Sequence, residues 1–108
     1  MVSEMKLKGR IVLEDDRGLS FFGEFYDGTP FSLRVDQFDI ELNDEFLPSR
    51  RSVDGWLFVA QEAKQADRCY LTLPKPTIQF GKQVVVRALD LMPRRATLAD
   101  FGPQNPVH

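Results

Sequence analysis

At 108 residues, the chain is the length of one domain, with 43% hydrophobic and 28% charged residues. That balance excludes a disordered chain, and no apolar run approaches the ~18 residues of a membrane-spanning helix. The net charge of −2 and a pI near 5.3 argue against a nucleic-acid binder built on a broadly basic surface.

Strand patterning begins at once. In "MKLKGRIVLE", residues 5–14, Met5, Leu7, Ile11 and Leu13 point one way and Lys6, Lys8 and Arg10 the other. Gly9 interrupts the apolar row and predicts a bulge or a close backbone approach. "DDRG" is a turn signal, after which "LSFFGEFY" resumes the period of two over residues 19–26. Asp27–Gly28 is a hairpin signal, and Phe31, Leu33 and Val35 give a third strand. The three strands form a meander.

The apolar phase then slips, so a kink, bulge or new strand starts near Gln37, with Phe38, Ile40 and Leu42 read as inward-facing. Residues 43–55 read as a loop with Phe46 and Leu47 tucked inward. Residues 56–67, "WLFVAQEAKQAD", fit either a helix capped by Asp54 or a hairpin whose turn region is "EAKQAD"; the hairpin is preferred. Pro74 and Pro76 follow in "LTLPKPTIQFGKQVVV". Proline cannot donate to a ladder, so the chain leaves it there, at a corner or a blunted edge, before "TIQF" re-enters a sheet. Gly81 breaks the remainder into one or two further strands. The expectation is an all-β fold: a small antiparallel barrel or sandwich of about six to seven strands over 1–92, then an irregular, proline-rich tail over 93–108 with one short helical turn at "TLADF".

Catalytic constellations are hard to assemble from these residues. His108 is the sole histidine and ends the chain, which disfavours histidine-based acid–base work; no P-loop, dinucleotide or zinc-hydrolase motif is present. Cys69, the sole cysteine, allows no intrachain disulfide and reads as a small buried hydrophobe. The expectation is therefore a protein that is not an enzyme, has no cofactor and resides in the cytoplasm; no secretory signal follows the N-terminal "MVSEMKLKGR".

Candidate binding residues fall into three sets. Asp39 and Glu41, two apart on one strand face, are the candidate metal ligands, although the same spacing arises whenever alternate positions are simply polar. Arg50–Arg51 and Arg94–Arg95, each pair beside a proline, are candidate anion or nucleic-acid contacts. Phe21–Phe22 and Leu57–Phe58 put large side chains on both strand faces, where a one-sided sheet alternates. A second chain covering one face, giving a homodimer, is the leading reading; a small apolar ligand in a pocket lined by Phe22, Phe25, Trp56 and Phe58 is its ligand-binding version. Residues 14–45 carry ten acids against two arginines, and residues 46–108 nine bases against five acids. These halves can meet within one fold or across two chains.

The runs "GWLFV", "YLTLPKPTIQFGKQVVV" and "LMP" resemble short bacterial proteins of the kind carried on mobile integron gene cassettes. The resemblance covers the second half of the chain and implies a bacterial accessory protein, with no assigned chemistry or site residues.

Overall fold

Two long strands, paired over ten consecutive positions, form the spine of the molecule. The computed structural model describes residues 2–14 and 18–95. β1 (Ser3–Glu14) and β5 (Ser52–Gln65) run antiparallel from Ser3↔Gln61 to Val12↔Ser52. Around them lie β2 (Gly18–Glu24), β3 (Pro30–Val35), β4 (Ile40–Leu42), β6 (Arg68–Thr77), β7 (Gly81–Arg87) and β8 (Leu91–Pro93). The meander β1–β2–β3 is as the alternation predicts. The ring β5–β1–β2–β3–β6 then closes through β5–β6 pairing into a five-stranded antiparallel barrel, with β4 added to β5, β7 to β6 and β8 to β1. Closure removes most of the sheet's free edges.

The interior follows the period of two. Leu7 and Ile11 from β1, Phe21 from β2, Leu33 from β3, Leu57 from β5, Leu71 and Leu73 from β6 and Val86 from β7 are fully buried. Each such side chain is worth roughly 1.5–3 kcal/mol of burial. Gly9 faces Gly55 across the spine. A Cβ on Gly9 would sit 2.3 Å from Phe21 Cζ, and one on Gly55 would sit 2.5 Å from Ile11 Cδ1. The expected close approach at Gly9 is thus present, and the β1–β5 ladder runs through it without a bulge.

Five antiparallel steps cannot return a ring to its starting direction, so one strand must turn within its own length. That strand is β6. Its register against β7 breaks between Thr72 and Thr77, the stretch that holds Pro74 and Pro76, and Thr77 then bridges Leu33 of β3. The prolines mark the corner where β6 changes partners.

Several expectations are corrected. The expected all-β antiparallel barrel is present, but with eight strands among the described residues in place of six to seven, β4 and β8 being only three residues long. Residues 56–67 are the preferred hairpin and not the helix, but its turn is narrower than "EAKQAD": β5 pairs with β6 and continues through Gln65, and only Ala66 and Asp67 turn, with Ala66 at φ 56°. The phase slip is a 3₁₀ turn at Gln37–Asp39, in which Asp36 accepts from the Phe38 N–H and Asp39 accepts from the Asp36 N–H. This turn leaves Phe38 78% exposed, not inward; Ile40 is buried and Leu42 is exposed. Phe46 packs on the core as expected, whereas Leu47 is exposed. Of "TIQF" only Thr77 re-enters the sheet; residues 78–80 are the β6–β7 turn. The barrel also continues past residue 92, since Pro93 pairs with Met5 and the Arg94 N–H donates to Glu4 O at 3.2 Å. The centre of the "DDRG" turn, the "TLADF" turn and His108 lie outside the described residues.

Candidate functional site

Because β2 alternates, Phe21 fills the barrel and Phe22 must face outward. Pro30 and Ser32 of β3 lie beside it, and the β6–β7 turn rises next to them. Together with Phe31, Thr77, Ile78, Gln79 and Phe80 they enclose a hollow of about 400 Å³ with no charged residue in its lining. The turn is held firmly. The Thr77 hydroxyl accepts from the Phe80 N–H at 2.8 Å and donates to Gly81 O at 2.9 Å, while the Ile78 N–H donates to Ser32 O. Phe80 meets Phe25 edge to face at 5.2 Å, and Phe25 stacks on Phe31 at 4.8 Å. Such contacts add about 0.5–1.5 kcal/mol each beyond simple burial. Ile78 nonetheless remains 77% exposed and Phe80 55%. A small rigid turn therefore displays two large apolar side chains to water.

The four aromatics expected to share a pocket do not converge. Phe22 lines the hollow, and Phe25 packs beneath Phe80 on its far side. Trp56 lines a separate cleft that Phe22 also borders. Phe58 lies under the Arg94 guanidinium, 4.2 Å from its ring centroid. Ile78 and Phe80 were missed as surface residues because a β-prone "TIQF" reads as strand; the signal available was Gly81, whose φ of 75° ends a tight turn.

The arginine pairs are also kept apart. Arg50 bridges Asp44 at 3.1 Å and Arg51 donates to Leu13 O, whereas Arg94 reaches Glu4 at 3.7 Å and Arg95 is exposed nearby. Leu13 and Glu4 stand at opposite ends of β1, roughly 30 Å apart at a rise of about 3.3 Å per residue. No single basic groove is formed by these four residues.

Asp39 and Glu41 each answer to a lysine instead of a shared ion. Lys75 Nζ meets Asp39 at 2.7 Å and Asp36 at 3.4 Å, and these carboxylates hold the lysine's proton above its ordinary range, Asp39 foremost. Lys6 Nζ donates to both Glu41 oxygens at 3.1 Å. Among the described residues no three or more histidine, cysteine or carboxylate side chains group to hold a metal. Cys69 is buried, and desolvation pushes its thiol up, away from the reactive thiolate.

The acidic and basic halves meet within one chain. Glu24 binds Arg87 and Asp44 binds Arg50, alongside the Lys6–Glu41 and Lys75–Asp36/Asp39 pairs. No described helix is long and apolar enough to cross a membrane. Comparisons with protein-family models, with curated proteins and with solved structures find no match.

Proposed function

We propose that this barrel is a non-enzymatic interaction module that pairs with a second copy of itself through the uncharged face around the β6–β7 turn. The observation that carries the reading is the juxtaposition of a knob and a hollow. Ile78 and Phe80 project beside a 400 Å³ depression lined only by uncharged residues, in a chain where 28% of residues are charged. Exposed apolar side chains that cluster beside a hollow, and are not scattered singly, mark an interaction surface. A two-fold axis beside the turn would set the knob of each copy into the hollow of the other, the self-complementary arrangement of an isologous dimer. A charged partner finds nothing there to pair with, whereas the chain itself supplies a matching surface. So small a patch builds an interface at the low end of the size range, below about 1,200 Å² in total, and the expected dimer is weak and reversible.

Sedimentation velocity over a wide concentration range tests this. The expected result is a monomer–dimer equilibrium that Ile78→Glu shifts fully to monomer, with an unchanged far-ultraviolet spectrum because the side chain is solvent-facing. A wild-type chain that stays monomeric into the millimolar range overturns the reading, as does an Ile78→Glu variant that dimerises normally.

A further inference from the structure

Beside the uncharged face lies a chemically different hollow. β1 exchanges partners along its length: β8 pairs with residues 5–7 and β2 with residues 10–14. Where those two strands part, a cleft of about 790 Å³ opens on the outer face of the spine. Its size falls within the ~300–1,000 Å³ of small-molecule sites. Gly9 contributes only backbone there. Register places Trp56 opposite Lys8, and Arg10 between Asp54 and Phe22. Leu89, 76% exposed on the 3₁₀ turn Ala88–Asp90, forms another part of the wall.

Charge in this cleft is unevenly committed. Arg10 is held by Asp54 at 3.0 Å and Ser52 at 2.6 Å. Arg87 grips Asp90 through two nitrogens, at 3.0 and 2.9 Å, and Glu24 at 2.6 Å. Every carboxylate lining the cleft is therefore already bound to an arginine. The Lys8 ammonium, on an exposed side chain, has no ion pair or hydrogen bond to any described residue. What the cleft offers a ligand is the partly exposed Phe22 ring, the accessible edge of the otherwise buried Trp56, 8% exposed, and one uncommitted ammonium.

We infer that this cleft binds a small aryl carboxylate, with its ring system against Trp56 and Phe22 and its anion on Lys8. A cationic ligand would have to displace an arginine from a carboxylate, and a neutral one would leave Lys8 without a partner. Phe22 and Pro30 border both hollows, but Ile78 belongs only to the self-association face, so a change at Ile78 separates the two.

Trp56 is the only tryptophan in the chain, so its indole N–H gives a single resolved cross-peak in a ¹⁵N-correlation spectrum. Titration with 1-naphthoate is expected to move that peak and the Lys8 and Gly9 amides saturably. The uncharged isostere 1-naphthylmethanol should bind about tenfold more weakly, as should naphthoate to Lys8→Gln, since the charge-assisted bond is then missing. Phe22→Ala should weaken both probes alike, and Ile78→Glu should bind naphthoate as the wild type does. The inference is overturned by the absence of a saturable Trp56 shift, by shifts centred instead on Ile78 and Phe80, or by equal naphthoate affinity in Lys8→Gln.

Discussion

Lys6 is the residue whose position departs furthest from what its neighbours dictate. It stands in an outward row with Lys8 and Arg10, yet it is 1% exposed. The cover is nonlocal: Met92 of β8 pairs beside it, the Trp56 ring lies 5.1 Å from its ammonium, and Glu41 of β4 accepts its charge. None of these residues lies within 30 positions of Lys6, so alternation alone sees a solvated lysine. Its stem fills space as a hydrophobe would, while the charge reaches the still hydrated Glu41. Lys6→Met should therefore lie within about 1 kcal/mol of the wild type or exceed it, because Glu41 can return to water once its partner is gone. Lys6→Ala, which also removes the stem, should lose about 2–3 kcal/mol to the cavity it leaves. Urea midpoints at constant slope distinguish the two. A Met variant as unstable as the Ala variant would show that the charge, not the volume, holds this position.

Among the elements, β6 concentrates the chain's topological problem. It pairs with β5 over residues 68–72 and reaches β3 only at Thr77, after Pro74 and Pro76. The prolines fix extended backbone where no ladder bond is required, and they restrict the unfolded chain as well. Replacing both by alanine should cost about 1–2 kcal/mol in total through unfolded-state entropy, with the far-ultraviolet spectrum preserved. A double variant as stable as the wild type would mean that the corner is set by its neighbours alone. The corner and the meander were legible because their signals are local: strict alternation, Asp27–Gly28, and proline's missing donor. β8 was not, and β4 only as one alternative near Gln37, since three residues carry no period. The 3₁₀ turn at Gln37–Asp39 did leave a trace in the Asp36-x-x-Asp39 spacing, whose two side chains close a capping box. Of the candidate site, Phe22 and Trp56 could be read from the sequence as pocket-lining aromatics. Ile78 and Phe80 could not, because a turn made of β-prone residues imitates a strand. Lys8 stood out from Lys6 only once β8 and β4 had covered one lysine and left the other bare.

At the scale of the molecule, the segregated charges become a web that ties distant segments together. Lys75, beyond the first proline, holds the 3₁₀ turn through Asp39 and Asp36, and Arg87 joins β7 to Glu24 at the end of β2. Their protons are bound more tightly in the folded state: Asp39 first and Asp36 second raise Lys75, and Asp90 first and Glu24 second raise Arg87. For Lys75, that stabilisation is complete below the lysine's ordinary value of 10.5 and fades as pH rises through its raised folded value. Asp27 behaves oppositely. The Thr29 backbone N–H, donating at 2.9 Å, lowers its folded value, so its contribution is complete above 3.8 and is lost as pH falls through the lowered value. All three groups are solvent-facing, so both effects should be small and weakened by salt. The urea midpoint should therefore hold a plateau through neutral pH and decline at both ends. In Lys75→Gln the alkaline decline should be shallower than in the wild type. The difference between the two alkaline limbs isolates the lysine. Identical alkaline limbs would show that the Lys75 bridge to the 3₁₀ turn contributes nothing to holding the barrel's flank.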